Sequence, residues 1–174
     1  MTTKALPAAA LPPPPPPAGP DWLPRPGAYT AAPDRCIVEL TGRIGPLVTL
    51  RRRLVAADAS LTVTPEPEHC ALSLELTGRP LHGARFTFVS TAIASEDHGS
   101  RLTAAGDLAL RDGPPTPAVL ALRVVERTDD ELLVLGVLRL PYRPLHRATG
   151  LTLPRTRPAD RVRLLVAAEF TCPA

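Results

Sequence analysis

A chain of 174 residues, 44% of them hydrophobic and with a mean hydropathy of +0.04, has enough apolar material for one domain with a sizeable core after a tail is set aside. Its net charge of +3 and pI of about 9.1 rest almost wholly on scattered arginines, and one Trp, two Tyr and three Phe are all it has for stacking on bases, which argues against a nucleic-acid partner. The bias toward Arg, Ala, Pro and Leu fits a high-GC genome, and no stretch is apolar for long enough to span a membrane.

The first 33 residues hold 11 of the 23 prolines, including an unbroken run from Pro12 to Pro17. Such a run lacks amide donors and fixes φ along an extended polyproline II rod. Residues 1–26 are therefore predicted to be a disordered Pro-rich tail, with a spacer or a ligand for an SH3-like groove as the functional alternative. Trp22, in Pro-Asp-Trp-Leu-Pro, stands out as a large aromatic that needs either the domain or a partner to cover it. The N-terminus has no charged region followed by an uninterrupted apolar stretch and a cleavage site, so cytoplasmic residence is expected.

From Gly27 the pattern changes to alternation, and residues 27–174 read as the folded domain. Cys36, Val38 and Leu40 fall on one face of a first strand, against Ile37 and Glu39. After a turn from Gly42 to Pro46, the run from Leu47 to Val63 reads as a strand pair turning near Asp58. Cys70, Leu72, Leu74 and Leu76 then alternate with Ser73, Glu75 and Thr77, and Phe86 and Phe88 share a face with Ser90. Between Arg101 and Leu140, apolar faces built on Leu102, Leu108 and Leu110, then Leu120, Leu122 and Val124, then Leu132, Val134 and Leu138, are broken by turns at Asp112-Gly113-Pro114-Pro115 and Asp129-Asp130. A last strand sets Val162, Leu164, Val166, Ala168 and Phe170 against Arg163, Leu165, Ala167 and Glu169.

About eight strands emerge, and no segment of ten or more residues shows a capped helical stripe. The fold class is all-β: a closed or nearly closed antiparallel barrel, or a sandwich, with a barrel favoured because closure removes the edges. An eight-stranded barrel is wide enough either to be filled by side chains or to hold one small apolar ligand, and a Leu/Val lining suits both.

Little points to catalysis or metal binding. Cys36, Cys70 and Cys172 form no CxxC pair and have no histidine at metal-ligand spacing, while a disulfide between Cys36 and Cys70 stays open. His69, His82, His98 and His146 fall in no nucleophile or ligand arrangement, and Glu96-Asp97-His98-Gly99 reads as a polar turn. In Arg51-Arg52-Arg53, alternation turns Arg52 inward. There it either meets an anionic partner, such as an amphiphile headgroup or an internal Glu, or reaches solvent from a strand end. Arg139, Arg143 and Arg147 form a second basic group.

Several phrases, in order along residues 27–171, resemble the YceI-like family of lipocalin-like, polyisoprenoid-binding proteins. Gly27-Ala28-Tyr29-Thr30 through Leu40 is similar to its opening strand, and Phe86 to Thr91 to its F-x-S strand. Gly106-Asp107-Leu108-Ala109-Leu110 with the turn after it resembles the family's G-D-L-T-L hairpin, and Asp160 to Glu169 its last strand. The chain departs from the family in its short connection between Leu74 and Phe86, and in Arg139-Leu140-Pro141-Tyr142-Arg143-Pro144, which lacks the acid and glycine of the family phrase. The resemblance implies a lipocalin-like β-barrel that carries a polyisoprenoid or fatty-acyl amphiphile without catalysis and with no resident cofactor, homodimerisation being compatible with it. Leu40, Leu72, Leu74, Phe86, Phe88, Leu108, Leu110, Leu120, Leu122, Val124, Leu164 and Val166 are the expected ligand-lining residues, each placed by alternation. The alternative function is a filled-core barrel that acts as a protein-interaction or scaffold module through the Pro-rich tail.

Overall fold

Strand-like alternation with turn residues between the runs is realised throughout a computed structural model that describes residues 24–44, 47–78, 85–110, 113–150 and 162–173. The strands are β1 (Gly27–Thr30), β2 (Cys36–Ile44), β3 (Leu47–Val63), β4 (Ala71–Thr77), β5 (Phe86–Glu96), β6 (Arg101–Leu110), β7 (Thr116–Arg127), β8 (Glu131–Leu140) and β9 (Val162–Thr171), with one helix, α1 (Tyr142–Thr149), before the last. Each of β2 to β9 pairs antiparallel with the next, and β9 closes on β2 from Cys36↔Ala168 to Gly42↔Val162. The result is a closed eight-stranded antiparallel barrel. Residues 1–23 of the expected tail, with the proline run and Trp22, together with His82 and the turn residues Gly45, Pro46, Arg111 and Asp112, lie outside the described residues, whereas residues 24–26 of that tail are ordered against the barrel, with Pro24 buried and the Arg25 amide donating to the Asp129 carbonyl.

The short β1 is a ninth strand that completes one end of the wall. It pairs with the end of β3, Gly27↔Val63 to Thr30↔Ser60, and touches β9 at Thr30↔Thr171, where β2 no longer reaches. This explains the length of β3, whose first half pairs with β2 and whose second half pairs with β1 and β4.

The strand pair with a turn near Asp58 is therefore corrected to one continuous 17-residue strand. A register shift between Ala56 and Asp58 inserts one residue, so Leu54 and Ala56 point inward before it and Ala59, Leu61 and Val63 after it. A bulge changes the phase of alternation without reversing the chain, and in sequence that phase change looks like a turn. A second shift between Ser90 and Ala92 moves the inward face of β5 from Phe86, Phe88 and Ser90 to Ile93.

Inside, the two Phe of β5, Leu from nearly every strand, and the small Ala56, Ala59, Ala104 and Ala168 interdigitate in one cluster. Each fully buried Leu, Phe or Val contributes about 1.5–3 kcal/mol relative to exposure. Gly136 is packed closely against β7, and an added Cβ there would lie 2.8 Å from Leu122 Cδ2 and 3.1 Å from Leu120 Cδ1.

Candidate ligand site at the helix-capped end

The twelve residues expected to line a tunnel do converge on the barrel interior. Eleven are buried, from Leu40 at 0% to Leu122 at 7% exposure, and Val124 is half-buried against the same cluster. A channel wide enough for a hydrocarbon chain would leave accessible area on its walls, and these residues have almost none. As described, they pack on one another. Leu and Val serve a filled core and a tunnel equally well, so alternation identified the face but not whether it was occupied.

Both ends of the barrel are closed, by different means. At the end where β2, β4, β6 and β8 finish, α1 lies across the opening with Leu145 fully buried and Thr149 buried, its hydroxyl donating 2.8 Å to the Leu145 carbonyl. At the opposite end, Tyr29 is fully buried, and its hydroxyl donates 2.6 Å to the Arg25 carbonyl and sits 3.0 Å from that of Asp129 in the β7–β8 turn. The Arg25 amide also donates to the Asp129 carbonyl, and Pro24 is buried, so the segment before β1 is part of this closure.

Helix α1 was missed because it is only eight residues long, but its boundary signals are present. Pro144 sits in the first turn, where its missing amide has no partner to lose. Gly150 ends the helix with φ of 68° and donates 2.7 Å to the His146 carbonyl. Tyr142 and His146 stack at 5.7 Å along one side.

Between α1 and the β6–β7 turn lies an apolar cleft of about 330 Å³, lined by Leu110, Gly113, Pro114, Thr116, Pro144, Arg147 and Ala148. It has walls from two elements, and its floor, Leu110, belongs to the barrel core. Larger depressions lie on the outer wall, one over β5 to β9 and another over β2, β3, β8 and β9, but each is bounded by a single sheet. Of the expected lining residues only Leu110 reaches the cleft; Pro144, Arg147 and Ala148 come from the helix that strand alternation does not reveal.

The remaining polar candidates resolve simply. Arg52 is opposite Leu40 in the register, yet it is exposed from within β3, and its guanidinium donates to the Arg51 carbonyl at 3.2 Å. Arg51 and Arg53 face outward, and Arg51 grips Glu39 with two nitrogens at 2.9 Å, which raises the Arg51 pKa further. The three cysteines are free, and burial pushes the Cys36 thiol above its ordinary value. Asp97 and Gly99 bound a short helical turn in which Asp97 pairs with Arg101 at 3.1 Å. Among the described residues no group of His, Cys, Asp or Glu could hold a metal ion, and no helix is long and apolar enough to cross a membrane.

No protein-family model matches the chain, and no curated protein matches it.

Proposed function

We propose that the protein binds a single-chain amphiphile, polyisoprenoid or fatty acyl, and performs no chemistry on it. The observation that carries this reading is the apolar cleft beside α1, whose volume of about 330 Å³ falls at the small end of the roughly 300–1,000 Å³ usual for small-molecule pockets. That space suits a segment of chain with the rest of the molecule outside. Leu110, Pro114, Pro144 and Ala148 supply apolar contact, and Arg147 at the rim supplies a cation for a carboxylate or phosphate headgroup. Each buried methylene contributes about 0.8 kcal/mol. The resemblance to the YceI-like family supports the same ligand class, with this difference: the chain is seated beside the cap over Leu110, and the interior stays packed.

Filling the cleft tests this directly. Ala148→Trp is expected to reduce the affinity for a fluorescent fatty-acid probe by more than about tenfold, while Arg147→Gln weakens a charged probe and leaves a fatty alcohol unaffected. Equal binding of the acid by the parent and Ala148→Trp would remove the cleft from consideration.

The filled interior favours a second reading, a barrel whose core only stabilises it and whose surfaces do the work. Leu122→Trp separates the two possible interiors. Opposite Gly136, where there is no room, it is expected to destabilise the fold by about 1–3 kcal/mol or more through overpacking. A barrel that opens to admit the chain would accept the indole with stability intact and lose probe binding.

A further inference from the structure

We infer that the outer wall formed by β7, β8 and β9, toward the α1 end, is a docking face for an anionic lipid bilayer. The register sets Arg139 directly opposite Arg163. Both point outward, because their neighbours Leu138, Leu140, Val162 and Leu164 are buried. Like charges facing across a strand pair are destabilising unless an anion lies between them. Among the described residues neither arginine has a carboxylate partner, the ion pairs being Arg35–Glu169, Arg51–Glu39, His69–Glu66, Arg85–Glu75 and Arg101–Asp97.

An aliphatic patch adjoins this pair. Val119 on β7 lines the same outer depression as Arg139 and Arg163, and two residues along the strands Val137 faces Leu165. These three side chains are 53%, 37% and 37% exposed, and they lie together beside the arginine pair. Among the described residues Asp107 on β6 is the one carboxylate lining this depression, while Glu66, Glu68, Asp129 and Asp130 sit in the β3–β4 and β7–β8 connections at the far end of the barrel. Two arginines against one carboxylate leave this depression net positive, beside exposed Val and Leu. Arginines that clamp phosphates around aliphatics that enter the headgroup boundary are what an anionic membrane surface recognises. A nucleic acid would need stacking rings, and this patch has none.

Sedimentation of the full chain with vesicles tests the assignment, comparing phosphatidylcholine alone with a mixture holding about one-third phosphatidylglycerol. The expected result is binding to the anionic vesicles only, declining steeply with salt. Arg139→Glu is expected to cut that binding at least about tenfold while melting no lower than the parent, because it converts a repulsive cross-strand pair into an attractive one. Val137→Ser weakens binding and leaves its salt dependence unchanged. The proposal is overturned if anionic vesicles do not sediment the protein, if neutral vesicles do so equally, or if Arg139→Glu binds as the parent does. It is equally overturned if a single-stranded oligonucleotide binds the face more tightly than the vesicles. Fluorescent fatty-acid binding by Arg139→Glu stays at the parent level, which keeps vesicle docking separable from occupancy of the cleft.

Discussion

Gly106→Ala is expected to be the most damaging single substitution in the barrel wall, costing more than about 3 kcal/mol and leaving little folded protein. An added Cβ would lie 2.1 Å from the Val89 carbonyl oxygen and 2.5 Å from Ser90 Cα, both of them backbone. No rotamer change relieves such a contact; β5 itself must move. It is held on its other side, because the Ser90 hydroxyl, buried next to the bulge, accepts the Leu72 amide at 2.6 Å where the regular β4–β5 ladder has stopped. Displacing β5 would leave that amide buried without an acceptor, a further cost of about 1–3 kcal/mol. Gly136→Ala is the control. There the near atoms are the methyl ends of Leu122 and Leu120, which can give way, and the expected loss is smaller, about 1–2 kcal/mol. Urea unfolding followed by far-ultraviolet circular dichroism orders the two, and a Gly106→Ala midpoint at or above that of Gly136→Ala would show that the β5–β6 approach is not as close as described.

How much of this could be read from the chain depended on whether the feature is periodic. Inward and outward faces follow from period two, so Leu72, Phe86, Leu108 and Leu164 fall where alternation puts them. Closure is a property of register, and nothing in the local pattern of Cys36 to Gly42 announces that β9 will pair with it across more than a hundred residues. The bulge at Ala57 disguised one long strand as two, because inserting a residue and reversing direction both reset the phase. The cleft was the least legible part. It needs α1, whose Leu145 and Thr149 are its only buried positions and whose eight residues give too few turns for a stripe to show. A full interior and a hollow one have the same composition, and the difference is carried by how the strands stagger.

Tyr29→Ala is expected to be the second most damaging change, at about 3–5 kcal/mol, because one side chain closes the end of the barrel opposite α1. Tyr29 is fully buried, and its hydroxyl ties the Arg25 carbonyl to the β7–β8 turn, where the Cys172 amide also donates to the Asp130 carbonyl at 2.9 Å. Removing the ring opens that end and separates the N-terminal segment, the turn and the C-terminal strand. Tyr29→Phe keeps the ring and loses only the tie, at about 1–2 kcal/mol, since the Asp129 carbonyl still receives the Arg25 amide. A pH series isolates the hydroxyl. Burial, then the neighbouring Cys172, raises the Tyr29 pKa above its ordinary 10.0, and burial raises that of Cys36 above 9.0. For an acid whose folded pKa is raised, the folded state keeps its proton where the unfolded state releases it. The stabilisation is therefore whole below the ordinary value and is lost as pH rises through the folded one. The parent should thus weaken in two stages, from about pH 9 and again from about pH 10, and its advantage over Tyr29→Phe should shrink only in the second. Urea midpoints of the two proteins between about pH 8 and pH 10.5 measure this difference, and a gap that stays constant across the range would place the phenol outside the closure.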